Sequence, residues 1–151
     1  MENTSRTREL LNDLILINND RIEGYEKALE ELTANGEHTE LIFLRFIDDS
    51  RRYKMEIGTE IQALGYDIEQ GASMGGKLHR AWIALKETFT GHDEHNLLEE
   101  IERGEDAIKK AYEDALNGDV LPAYIIDILD EQLQEIMDAH DEIKSLRDSV
   151  H

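Results

Sequence analysis

Apolar residues recur at steps of three and four along most of the chain, the spacing that places side chains on one face of an α-helix. Gly and Asn residues, which commonly end helices, interrupt this pattern near positions 35–36, 65, 71–76, 91 and 118. The interrupted pattern predicts five helices, over residues 5–34, 37–64, 75–90, 94–117 and 120–149. No stretch alternates apolar and polar residues with a period of two, so we predict an all-α chain without a sheet.

The connections predict how these helices pack. Tight turns at 35–36 and 117–119 would join the four long helices into two antiparallel hairpins. The connection over 65–93 is long and holds the short third helix, and a long crossover between hairpins is typical of ferritin-like bundles. No linker or repeat divides the chain. We therefore predict one domain over 1–151, a ferritin-like up-down four-helix bundle with an additional short crossover helix.

Two ionisable residues, Glu105 and His140, stand on otherwise apolar helix faces. The stripe around Glu105 consists of Leu98, Ile101, Ile108, Tyr112 and Ala115, and the stripe around His140 of Ile125, Leu129, Leu133, Ile136 and Ile143. An ionisable group on a core-facing surface destabilises the fold unless it is paired or bound to a metal. Glu105 and His140 are therefore the first candidates for a functional site.

The predicted turns also indicate which polar residues share the middle of the bundle. Residues equidistant from a hairpin turn lie side by side, so a turn at 117–119 puts Glu105 opposite about Gln132 and away from His140. The predicted mid-bundle set is Asn18, Arg21, Ser50, Tyr53, Glu105 and Gln132. We interpret this set as a buried hydrogen-bond network in which Arg21 or Tyr53 satisfies the carboxylate of Glu105.

A metal site around Glu105 is the alternative hypothesis. Glu102 and Glu105 form a carboxylate pair at i, i+3 on one side of a helix, and Glu23 and His140 are further candidate ligands. Iron or manganese is the cofactor that such a site would hold. A standard di-iron site is disfavoured, because di-iron bundles use Glu-x-x-His motifs and no Glu of this chain has a His three residues later.

The charge of the chain limits its partners. With 16 basic and 35 acidic residues the formal net charge is −19, which repels nucleic acid and anionic lipid and attracts divalent cations diffusely. The absence of Cys excludes disulfides and thiolate metal sites. We see no signal peptide and no apolar run of about 18 residues that could span a membrane. The expectation is a cytoplasmic protein that binds neither nucleic acid nor membrane.

Short segments of the chain resemble a known family. They are Leu11–Leu14, Asp20–Ala28, Leu64-Gly65, Leu78–Trp82 and Glu102–Asp106. In combination they are similar to a bacterial family of uncharacterised four-helix-bundle proteins that is grouped with the ferritin-like fold. The resemblance spans nearly the whole chain. It implies a ferritin-like bundle and no particular reaction.

Three functions are compatible with this sequence. The first is a noncatalytic, stress- or storage-associated bundle that associates with itself, as a dimer, or with another protein. The second is a divergent bundle that binds a divalent metal and has redox activity. The third and weakest is a small-molecule-binding bundle, with Tyr25, Tyr53, Tyr112 and Trp82 as contacts, although aromatic residues at helical spacing usually belong to the core.

Overall fold

The computed structural model describes residues 2–32, 37–67 and 94–149, which form four α-helices. Their bounds are Glu2–Glu31 for α1, Glu37–Ala63 for α2, Glu94–Leu116 for α3 and Ala123–Ser149 for α4. No residue within the described ranges belongs to a strand, and the all-α prediction is confirmed. The predicted helix over 75–90 lies outside the described residues.

Each helix packs against two neighbours that run antiparallel to it. Helix α1 contacts α2 and α3, whereas α4 contacts the same two helices from the opposite corner of the bundle. Between α2 and α4, Arg45 donates to Glu142 and Gln132 donates to Glu56, so late residues of α2 meet early residues of α4. Within the described residues the backbones of α1 and α4, and those of α2 and α3, do not approach each other closely, which places these pairs on the diagonals of a four-helix bundle.

The start of α3 lies beside the start of α2. The Thr39 hydroxyl donates to Glu94 at 2.8 Å, although the end of α2 at Ala63 is about 36 Å further along that helix at 1.5 Å per residue. The end of α2 and the start of α3 therefore lie at opposite ends of the bundle, as the predicted long crossover between two hairpins requires.

The register between α3 and α4 differs from the predicted one. Three contacts define it: Tyr112 with Gln132, Asp106 with His140, and Glu102 with Arg147. Glu105 consequently lies level with about residue 140. The prediction that placed Glu105 opposite Gln132 and away from the level of His140 was wrong by about two helical turns.

The connection between α3 and α4 accounts for only part of this error, and the rest is a shift of α4 along α3. It was predicted to be a tight turn at 117–119, but α4 begins only at Ala123. Asp119 adopts a left-handed backbone with φ of 55°, and the carbonyl of Pro122 accepts a 3.0 Å hydrogen bond from the backbone N–H of Ile126. Because Pro has no N–H and its ring clashes with a preceding helical turn, the helix starts at this point and the hairpin is longer than predicted.

The core combines apolar side chains from all four helices with a polar layer at mid-height. The six residues predicted for that layer, Asn18, Arg21, Ser50, Tyr53, Glu105 and Gln132, are each no more than 1% exposed. Aliphatic residues such as Leu98, Ile108 and Ile136 are fully buried in the same core. A polar layer inside such a core has to satisfy its own hydrogen bonds.

Candidate functional site

A buried ion pair between Arg21 on α1 and Glu105 on α3 lies at the centre of the polar layer. Arg21 Nε donates to Glu105 Oε1 at 2.8 Å, and Arg21 Nη2 donates to Oε2 at 3.3 Å. The two side chains are 1% and 0% exposed. This two-pronged geometry uses the planar fork of the guanidinium to bind both carboxylate oxygens. Of the two partners predicted for Glu105, Arg21 or Tyr53, it is Arg21 that binds the carboxylate.

A tyrosine completes the surroundings of Glu105. The hydroxyl of Tyr25 donates to Glu105 Oε1 at 2.5 Å, whereas Tyr53, the residue considered from the sequence, donates to Glu135 at 3.0 Å. Sequence reasoning assigned Tyr25 to the core or, in the third hypothesis, to a small-molecule contact, and did not connect it with Glu105. The available signal was its spacing, because Tyr25 follows Arg21 by four residues and so lies on the same face of α1.

The electrostatics around Glu105 hold Arg21 and Tyr25 each in one protonation state. Burial by itself lowers the pKa of Arg21, but the negative charge of Glu105 and its hydrogen bonds outweigh burial and raise that pKa above its ordinary value. Burial, and then the adjacent Glu105 carboxylate, raises the pKa of Tyr25 well above its usual range. Arg21 therefore stays a cation and Tyr25 stays a neutral donor, so Glu105 keeps both partners at neutral pH.

Hydrogen bonds continue from Arg21 into α2 and back to α1. Arg21 Nη1 donates to Ser50 Oγ at 3.0 Å, and the Ser50 hydroxyl donates to Asn18 Oδ1 at 2.9 Å. Asn18 Nδ2 in turn donates to the Tyr112 hydroxyl at 3.0 Å. Three helices are thus connected by side chains that all donate in one direction.

The network then reaches α4 and the surface. The Tyr112 hydroxyl donates to Gln132 Oε1 at 2.7 Å, and Gln132 Nε2 donates to Glu56 Oε1 at 2.9 Å. Glu56 is about two-fifths exposed. The path runs through the amides of Asn18 and Gln132, which do not pass protons as hydroxyls and imidazoles do. The arrangement therefore acts as a connection between four helices rather than as a proton path.

The four predicted metal ligands bind different partners and do not converge on one point. Glu105 binds Arg21 and Tyr25, as above. Glu102 accepts a 2.8 Å hydrogen bond from Arg147 Nη1, His140 Nε2 lies 2.7 Å from Asp106 Oδ1, and Glu23 is exposed on α1. In the described part of the chain, no three His, Cys, Asp or Glu side chains are grouped so that they could hold a metal ion. The assignment of Glu23, Glu102, Glu105 and His140 to a metal stays a prediction.

The chemistry of the bundle centre does not fit a di-iron site. Ferritin-like di-iron proteins place Glu and Glu-x-x-His ligands from all four helices at this position. Here the central carboxylate of Glu105 faces the permanent cation of Arg21, which repels a second cation. The other hydrogen-bond partners of the pair, Tyr25 on α1 and Ser50 on α2, are neutral. We derive no metal-dependent step from this centre.

The fold and its centre define a ferritin-like four-helix bundle locked by an internal ion pair. Among solved structures, a mutant of Dps1 from Mycobacterium smegmatis is similar to this chain with a TM-score of 0.78 at 14% sequence identity. The similarity covers 97% of this chain and 97% of that one. At this identity the likeness shows the fold.

The family of the chain follows from its sequence. Residues 6–118, about three quarters of the chain, match the model of the family described as Domain of unknown function (DUF2383), and the chain belongs to that family. No curated protein matches the sequence. Among the helices described here, none is long and apolar enough to cross a lipid bilayer.

Proposed function

We propose that this protein is a noncatalytic, cytoplasmic ferritin-like bundle that acts in stress or storage by associating with copies of itself or with another protein. The observation that supports this most directly is the ion pair at the bundle centre. Both oxygens of Glu105 are bound by Arg21 and Tyr25. A carboxylate with such partners contributes to the fold and is not available as a general base or as a metal ligand.

Freeing Glu105 for chemistry would require Arg21 to leave a fully buried position. A buried cation without its counter-ion is strongly destabilising, so the pair opposes an exchange of Arg21 for a metal ion. The same reasoning applies to the rest of the layer, where Ser50, Asn18 and Tyr112 already bond to one another. The interior therefore stabilises the fold, and the surface that binds other molecules lies on the outside of the bundle.

Metal analysis tests the noncatalytic proposal. The full chain is purified without chelator and without nickel affinity resin, and iron and manganese per chain are measured by mass spectrometry together with the melting temperature before and after metal addition. We expect far less than one metal per chain and an unchanged melting temperature. A ligand that binds only the folded state must stabilise it, so a near-stoichiometric metal or a raised melting temperature would overturn the proposal.

The second candidate function is divalent-metal binding with iron or manganese at Glu23, Glu102, Glu105 and His140. One observation favours it: the imidazole of His140 lies 2.7 Å from the Asp106 carboxylate, and imidazole–carboxylate pairs commonly orient metal ligands. The same metal analysis tests this second candidate. It compares His140→Ala with the control His38→Ala, which changes an exposed His on α2. Metal bound by the wild type and lost only in His140→Ala would establish this candidate.

A further inference from the structure

The outer side of α2 carries four exposed residues in the order apolar, acidic, basic, apolar. They are Leu44, Asp48, Arg51 and Met55, and we call them the α2 stripe. Leu44 is 42% and Met55 73% exposed, and the side chains of Asp48 and Arg51 are 76% and 57% exposed. Their spacing of four, three and four residues is the spacing of a coiled-coil seam, and it places them on the side of α2 that points away from the core.

When the α2 stripe is read in the opposite direction, apolar residues again meet apolar residues and each charge meets the opposite charge. We propose that two copies of this chain associate through the stripe, with α2 antiparallel to α2 of the second copy about a two-fold axis level with the peptide bond between residues 49 and 50. In this arrangement Leu44 faces the partner's Met55 and Asp48 faces the partner's Arg51. The two-fold axis repeats each contact, as in other isologous dimers.

Charge selects the antiparallel orientation. In a parallel pair each residue would face its own copy, so Asp48 would meet the partner's Asp48 and Arg51 the partner's Arg51. Like charges in direct contact disfavour that pairing, whereas the antiparallel register joins opposite charges in both central positions. The apolar residues at both ends then lie against each other. Leu41, which is 68% exposed one turn before Leu44, extends this apolar end.

The charge distribution of the chain also favours this stretch of α2 as the contact. Two copies that each carry a net charge of −19 repel one another over most of their surfaces. Four of the chain's 16 basic residues, Arg45, Arg51, Arg52 and Lys54, fall between positions 45 and 54. Because Asp48 and Asp49 are the acidic residues in this stretch, the stretch is locally basic and offsets part of the repulsion between two acidic copies.

This inference rests on the proposed function and specifies the surface and the partner. It is tested with charge reversals. Asp48→Arg places a second cation opposite the partner's Arg51, and Arg51→Asp places a second anion opposite the partner's Asp48. Each single variant should dimerise at least about tenfold more weakly than the wild type. An equimolar mixture of the two variants should recover the wild-type affinity, because their mixed pair has opposite charges at both positions.

The matched controls are Arg103→Asp and Asp114→Arg. Both lie exposed on α3, and Arg103 has an acidic partner three residues before it, Glu100, just as Arg51 has Asp48. Oligomeric state is measured by sedimentation velocity over micromolar concentrations at physiological salt, which screens the long-range repulsion. Circular dichroism melts confirm that each variant is folded. The controls should dimerise like the wild type.

The outcomes separate this inference from the proposed function. A wild-type dimer that both single variants leave unchanged would overturn the α2 stripe as the interface, while association through another surface would stand. A strictly monomeric wild type would overturn the inference as well as self-association. Metal bound in the assay described above would overturn the noncatalytic proposal without affecting the dimer measurement.

Discussion

Replacing Arg21 and Glu105 separately and together tests the central physical argument. Arg21→Met leaves the Glu105 carboxylate buried without its counter-ion, and Glu105→Met leaves the Arg21 guanidinium in the same position. Breaking a buried pair on one side destabilises a protein by about 3–5 kcal/mol. Each variant should therefore lose about that much of its free energy of unfolding, although Tyr25 keeps one hydrogen bond to Glu105 in the first variant.

The double variant separates charge burial from the loss of contacts. With both residues changed to Met neither charge of the pair remains, and the main loss is the hydrogen bond that the Tyr25 hydroxyl donates to Glu105. An unsatisfied buried donor destabilises by about 1–3 kcal/mol, so the double variant should be more stable than either single variant. The two changes would thus be strongly non-additive.

Urea unfolding monitored by circular dichroism measures the free energies of this double-mutant cycle. If the slope of the unfolding free energy against urea concentration is equal among the variants, the same surface is exposed on unfolding in each. The control is Arg103→Met, which breaks an exposed pair with Glu100 on α3 and should change stability little or not at all. Single variants that are as stable as this control, or a double variant whose loss equals the sum of the two single losses, would refute the reasoning.

Three further predictions concern the polar layer and the domain. Tyr112→Phe removes the hydroxyl that connects Asn18 with Gln132 and should lower the free energy of unfolding by about 1–3 kcal/mol in urea titrations; a loss equal to that of an exposed Tyr124→Phe control would contradict it. Burial raises the pKa of Tyr25 and Tyr112 above 10.0, so the folded state keeps these protons longer than the unfolded state. The free energy of unfolding should keep its neutral-pH value up to about pH 10.0 and should fall as the pH rises beyond it, and the part of the tyrosinate absorbance that Tyr25→Phe and Tyr112→Phe remove should appear only together with unfolding; if that part appears in a chain that keeps its full circular dichroism, the reasoning is wrong. We propose a single domain over 1–151, which predicts one calorimetric transition whose van't Hoff and calorimetric enthalpies agree; two resolved transitions would show separate units.

The helices and the buried layer could be read from the sequence, because both depend on short-range periodicity. The three- and four-residue spacing that predicts α1 also places Asn18 and Arg21 on its core-facing side, where each is almost completely buried. An acid on an apolar stripe requires a partner, and the predicted mid-bundle set offers Arg21 or Tyr53. The prediction that Glu105 is paired needed only this spacing and the high free energy of an unpaired buried charge.

The register of the second hairpin could not be read in the same way. Its connection was predicted to be three residues long, but the left-handed Asp119 and the helix start at Pro122 make it longer. Because α4 is also shifted along α3, His140 comes to lie beside Asp106 rather than far from this level. Loop conformation depends on local backbone angles that helical periodicity does not encode.

The sequence by itself determined the four long helices, the sides that they bury and the need for a counter-charge at Glu105, since these follow from helical geometry and from the energetics of burial. Only the tertiary structure decided that Tyr25 rather than Tyr53 binds Glu105, and that Glu102 bonds to Arg147. Those choices depend on the relative rotation and sliding of whole helices. Such rigid-body positions result from all the packing contacts together, and no single segment of the chain encodes them.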